Sequence, residues 1–239
     1  MLLGLNSCVI SEGTERKPDK QNDLLYRQVV ENVISSTLEH VRYAAYAEER
    51  LTGNTEDAEF IKSLYFPDAA VTVGEQEIKI VFYPGERYTY TYIIVTNGER
   101  LADGAIWTLE ESYGDDDYQV IDTFTGIKGE ERTVLPDNDL LGHFYYYGDA
   151  ETNIKATYSI DKPGKRMKAD VSGVGEVGEE KSYRTSFTID KDKPLLHIMP
   201  NQGSYFAGGE VNVLYEDFVE NTTHEVSIII QGDGSHIYK

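Results

Sequence analysis

Cysteine occurs once in the 239 residues, at Cys8, so the chain cannot close a disulfide on itself. Export is not thereby excluded, because a chain of this length can rely on a hydrophobic core. Long apolar runs are missing as well. The longest are short pieces such as Val81-Phe82-Tyr83 and Ile228-Ile229-Ile230, far from the ~20 apolar residues of a spanning helix. Positive charge is scarce: 22 Lys and Arg stand against 42 Asp and Glu, a net charge of −20. Such a chain repels phosphate backbones, so nucleic acid is not expected as a partner. The densest basic run, Lys162 to Lys168, falls where a hairpin turn is expected.

Familiar catalytic patterns are also lacking. His40, His143, His197, His224 and His236 are scattered, and neither HExxH, GxSxG nor a Walker loop occurs. Gly173-Val174-Gly175-Glu176-Val177-Gly178 matches GxGxxG letter for letter. A dinucleotide site needs a helix after those glycines, whereas here Thr185-Ser186-Phe187-Thr188-Ile189 alternates as a strand. The run is therefore read as a flexible hairpin loop. Asp115-Asp116-Asp117 and Asp137-Asn138-Asp139 offer oxygen ligands but lack the spacing of a calcium loop, so they are read as solvated turns. No catalytic residue, metal or cofactor is expected.

What is present is periodicity. Tyr26, Val29, Val30, Val33, Ile34, Leu38, Val41 and Ala45 form one helical stripe. It predicts a core-facing helix over Asp23–Arg50, capped by Asn22 or Asp23 and stopped by Gly53. A second helix is expected over Thr55–Tyr65. Beyond Ala70 the period shortens to two. Strands are predicted at Glu77–Tyr83, Tyr88–Thr96, Leu101–Glu110, Tyr118–Thr125, His143–Tyr147, Ile154–Ile160, Arg166–Val171, Tyr183–Ile189, Val211–Glu216 and Glu225–Gln231. Asn97-Gly98 marks a hairpin, and Trp107 reads as a core residue of its strand. The expected class is mainly β with N-terminal helices (α+β), an antiparallel β-sandwich or barrel. Residues 1–22 would be a truncated export signal and flexible tether, 23–68 a helical segment packed on the β domain, and 69–239 the antiparallel β domain.

Tyrosine is in excess, with 18 residues. Tyr88, Tyr90 and Tyr92 alternate and so share a strand face, as do Tyr145 and Tyr147. Rings of this kind pair across strands within a sheet, or stack on sugars and protein partners. These five are the candidate ligand-binding residues.

Leu5-Asn6-Ser7-Cys8 resembles the lipobox of bacterial lipoproteins, with a leucine and a small residue before the acylated cysteine. The resemblance covers the first eight residues, and only Met1 to Ser7 precede the cysteine. It implies that Cys8 is a lipid anchor, carrying a diacylglycerol and an amide-linked chain such as palmitate, and that the membrane is a partner. Ser11 to Asn22 are polar and suit a tether. The expected protein is thus a non-enzymatic lipoprotein of the bacterial cell envelope, on the periplasmic side or the cell surface, that binds a glycan or a protein partner. Two rival expectations are a lipocalin-like carrier of a small apolar ligand and a carbohydrate-active enzyme using a carboxylate pair.

Overall fold

The structure, a computed structural model, describes residues 18–39, 41–74, 77–83, 90–96, 106–113, 117, 119–127, 133–137 and 149–239. Helix α1 (Pro18–Tyr26) runs into a π-helical stretch (Arg27–Ile34) and α2 (Ser35–Glu39); α3 (Val41–Thr52) and α4 (Thr55–Tyr65) follow. The strands are β1 (Ala70–Val73), β2 (Glu77–Phe82), β3 (Tyr90–Thr96), β4 (Ile106–Tyr113), β5 (Gln119–Ile127), β6 (Thr133–Asp137) and β7 (Asp149–Asp161). Then come β8 (Arg166–Glu179), β9 (Tyr183–Ile189), β10 (Leu195–Pro200), β11 (Tyr205–Phe206), β12 (Gly209–Asp217), β13 (Thr222–Ile230) and β14 (His236–Tyr238).

The protein is mainly β with N-terminal helices, an antiparallel α+β fold of the sandwich-like kind. Its strands follow one another as a meander from β1 to β9, and β12, β13 and β14 continue the path. Strand β10 joins β8 and carries β11 on its other edge. Antiparallel neighbours need no crossover connection, so strands consecutive in the chain can lie side by side.

Sequence periodicity explains which side of the sheet is covered. Along β7, Thr152, Ile154, Ala156 and Tyr158 are buried, while Glu151, Asn153 and Ser159 are exposed. Strands β9, β12 and β13 alternate in the same way, through Thr185, Phe187 and Ile189, through Val211 and Val213, and through Val226, Ile228 and Ile230. The helical stripe supplies the other half of the core: Val29, Val30, Val33, Ile34, Leu38, Val41 and Ala45 are all fully buried. Each large side chain taken from water there contributes about 1.5–3 kcal/mol.

Three local readings need correction. The helix starts at Pro18, so the last residues of the expected tether are helical. Proline is pre-organised for a first helical turn. Asn22 and Asp23 serve the sheet rather than capping that turn: Asn22 Oδ1 accepts from His224 Nε2 at 2.7 Å, and Asp23 Oδ1 accepts from the Tyr238 hydroxyl at 2.5 Å. The glycine-rich run is not a hairpin loop either. It lies within β8, where Val174 pairs with Thr188 and Gly175 with Phe187. Gly53 does end α3, at φ +87°, and α4 has the expected bounds.

Candidate functional site

The anchor candidate Cys8 lies outside the described residues, as do Tyr88, Tyr145 and Tyr147 and the predicted strand His143–Tyr147. Tyr90 and Tyr92 belong to β3, opposite Phe82 and Ile80 of β2; their side chains are outside the described residues, like that of Trp107 on β4. The hairpin residues Asn97 and Gly98 fall outside too.

Other tyrosines show what this residue type does here. The Tyr158 hydroxyl donates to Glu49 Oε1 at 2.9 Å, joining β7 to α3. Tyr183 accepts from Gln28 Nε2 at 3.3 Å, while Thr185 Oγ1 donates to Gln28 Oε1 at 2.8 Å. Tyr26 stacks on His236 with ring centroids 3.8 Å apart, and Tyr238 accepts from His236 Nε2 at 2.8 Å while donating to Asp23. Burial is the main cause that raises the Tyr238 hydroxyl above its ordinary pKa, with the Asp23 carboxylate adding to it. A ring buried against the core with its hydroxyl on a partner suits tyrosine at a helix–sheet boundary. Glu49 is itself buried and also accepts from Asn54 Nδ2 at 2.8 Å. These contacts fix where the helices lie on the sheet.

Sequence reasoning missed the opposite face. Across β7, β8, β9, β12 and β13 the register aligns two rows of outward side chains. One runs Glu151, Glu176, Ser186, Leu214, Glu225; the next runs Asn153, Val174, Thr188, Asn212, Ser227. Four interstrand spacings of about 4.8 Å make each row roughly 19 Å long. Val174, second in the latter row, is 51% exposed.

Three confluent depressions lie along these rows. The first, about 610 Å³, sits at the β8–β9 turn and takes in Glu151, Glu176, Glu180, Arg184 and Phe218. The second, about 470 Å³, shares Glu151 and Glu176 with it and is floored by Val174 and Thr188. The third, about 440 Å³, shares Ser186 and Thr188 with the second and continues over Asn212, Ser227 and Lys239. Together they form an open trough whose polar groups are hydroxyls, amides and carboxylates, with Arg184 and Lys239 towards its two ends. Ser227 Oγ donates to Asn212 Oδ1 at 2.6 Å across the floor.

At the first end Phe218 is 46% exposed, with the Arg184 guanidinium carbon 6.0 Å from its ring centre. That guanidinium is tied to Glu216 Oε2 at 2.7 Å, and the pairing raises its pKa. The alternating pattern of β9, β12 and β13 already implied an outward polar face. Register, which brings the rows together, is set by strand order and cannot be read from any one segment.

Among the described residues no group of three His, Cys, Asp or Glu is placed to hold a metal. Glu151 and Glu176 stand directly opposite each other. Both are exposed on the outer face of the sheet. On the inner side Val29, Val33, Ile34 and Phe187 belong to one buried cluster. Among the described residues no helix is long and apolar enough to cross a membrane. Comparison with known proteins brings no match to a family model, to a curated protein or to a solved structure.

Proposed function

We propose that the protein is a non-catalytic, lipid-anchored binding module of the bacterial cell envelope, and that the outer trough receives an extended glycan. The observation that carries the ligand class is the pair of aligned rows across five strands. Their Ser, Thr, Asn and Glu side chains match a chain of sugar hydroxyls, and Val174 and Leu214 offer small apolar contacts to ring faces. A compact ligand would use one depression; an elongated one uses the continuity of all three. The lipobox-like Leu5-Asn6-Ser7-Cys8 carries the anchor part.

The test has two arms. An array of envelope oligosaccharides, followed by calorimetry on the best binder, is run with the full chain and with Thr188→Arg. Thr188 points outward and is exposed, so the arginine blocks the floor without entering the core. Affinity is expected to fall at least tenfold. Binding that survives Thr188→Arg but is lost on Ala replacement of Tyr88, Tyr90, Tyr92, Tyr145 and Tyr147 moves the site to those tyrosines. In the second arm, palmitate labelling in a bacterial host is expected for the native chain and lost in Cys8→Ser. Label that persists in that variant sinks the anchor.

A further inference from the structure

Phe218 follows the last residue of β12 and lines the first depression of the outer trough. A single exposed apolar side chain is ordinary on a protein surface; what sets this one apart is how firmly it is held. Its backbone N–H donates to the Ser182 carbonyl at 3.0 Å, which ties it to the β8–β9 turn. Beside it Asp217 Oδ1 accepts from the backbone N–H groups of Val219 and Glu220, both at 2.9 Å, and closes the β12–β13 turn. The ring is braced by the Arg184 guanidinium, whose carbon lies 6.0 Å from the ring centre. Arg184 is fixed in turn across the strand pair, with Nε and Nη2 donating to Glu216 Oε2 at 2.9 and 2.7 Å. Phe218 is nevertheless 46% exposed.

In the same depression Gly178 contributes backbone alone, and Glu151, Glu176, Glu179 and Glu180 join the lining. Carboxylates accept hydrogen bonds and do not donate them, so this end suits a ligand rich in hydroxyls. Arg184 is the one cation in this lining among the described residues, and Glu216 already answers its charge. An anionic ligand would meet those carboxylates in a chain whose net charge is −20, a field that repels it.

Given the reading of the trough as a glycan site, on which this step rests, we propose that Phe218 is its stacking platform. A neutral pyranose at the β8–β9 end lays its C–H face on the exposed side of the ring, and the ligand is a glycan without acidic groups. A sugar ring joins a patch of C–H bonds to a rim of hydroxyls, and an aromatic surface beside hydrogen-bonding groups matches both. Rigid placement adds to this, because a ring already ordered in the free protein loses little freedom on binding.

Calorimetry on the full chain compares neutral hexasaccharides of β-1,4-linked glucose, mannose and N-acetylglucosamine with the hexamannuronate of the same linkage. The native chain is expected to bind at least one neutral hexasaccharide, and the mannuronate at least about tenfold more weakly. Phe218→Ala and Phe218→Leu are each expected to weaken the neutral complex about tenfold. Phe218→Tyr should stay within about threefold, and Val219→Ser, next in the chain and 72% exposed, should change nothing. Circular dichroism melts check that the variants stay folded. Affinity that Phe218→Leu retains and Phe218→Ala loses would reduce the contact to apolar area and overturn the stacking. Binding lost in Thr188→Arg yet untouched by Phe218→Ala leaves the trough a glycan site and removes the platform. Mannuronate bound as tightly as the neutral chains overturns the exclusion of acids. Sugar binding that Thr188→Arg does not disturb, or none at all, sinks the trough reading and the platform with it.

Discussion

Replacing Gly173 by alanine is expected to lower the unfolding free energy by about 3 kcal/mol or more. That is a large part of the 5–15 kcal/mol typical of a domain. Two independent costs meet at this residue. Its φ is +140°, a conformation that L side chains rarely adopt, and an added Cβ would stand 2.3 Å from the Asn153 carbonyl oxygen and 2.7 Å from the Ile154 Cα. Both are backbone atoms of β7, a strand paired with β6 and β8, so neither can turn aside as a side chain would. The position also has an architectural task. Up to Val171, β8 pairs with β10; from Gly173 onward the same edge pairs with β9. The glycine marks the point where one long strand passes its edge from one partner to the next, and a bend there needs backbone freedom.

Gly203→Ala provides the control. Its φ is +71°, yet nothing lies within 4 Å of the added carbon, so only the backbone cost applies, about 1 kcal/mol. Gly175→Ala should fall between the two. Its added carbon meets the Phe187 ring at 2.5 Å, a side chain that has some room to rotate, and the Glu151 carbonyl at 2.8 Å. Phe187, directly opposite on β9, covers the bare backbone of Gly175, a pairing in which an aromatic ring compensates for a glycine in a strand. Urea unfolding of the three purified variants decides the matter. A midpoint for Gly173→Ala no lower than that for Gly203→Ala would remove the argument.

The same glycines show where sequence reading stops. Gly is the usual punctuation between strands, so Gly173-Val174-Gly175 read as a turn. The alternative, a strand crowded by its neighbours, depends on Phe187 and Asn153, which no local window contains. Strands β7, β9, β12 and β13 were legible because one face is buried and one is wet, which writes a period of two into the residues. Strand β10 was not. In Leu195-Leu196-His197-Ile198-Met199-Pro200 residues of both parities are buried, so the alternation vanishes, and Pro200 and His197 look foreign to a strand. Strand β6 contains Pro136, which argues against a ladder position. The short β1 follows the helices with only four residues. A lone histidine such as His197 carries no spacing signal, and its complete burial follows from its place in the fold. The outer trough was hidden for a related reason: its rows are assembled from five strands, one residue from each.

Phe66→Ala is expected to cost about 3–5 kcal/mol, the largest loss from any truncation in the helical layer. The residue follows α4 and is 1% exposed. Its ring meets Tyr46 of α3 edge-on at 5.2 Å and 84°, lies nearly parallel to Tyr43 at 5.9 Å and 15°, and presents an edge to Phe82 of β2 at 6.4 Å and 74°. Aromatic pairs in such geometries add about 0.5–1.5 kcal/mol each beyond their buried area. Alanine would therefore open a cavity and sever three contacts at once. Those contacts join both C-terminal helices to the β2 side of the sheet, while the Asn22, Asp23 and Gln28 bonds hold the other end of the helical segment to β9, β13 and β14. Losing Phe66 should loosen α3 and α4 while leaving the α1 end attached, so amide exchange is expected to quicken in residues 41–65 more than in 18–34. Phe66→Leu, which keeps most of the volume without the ring, should cost about half as much. Phe218→Ala, at a site 46% exposed, should change stability by no more than about 0.5 kcal/mol. If chemical denaturation placed Phe66→Ala beside Phe218→Ala, or if exchange rose evenly along all the helices, Phe66 would not be the fastening that its ring contacts make it.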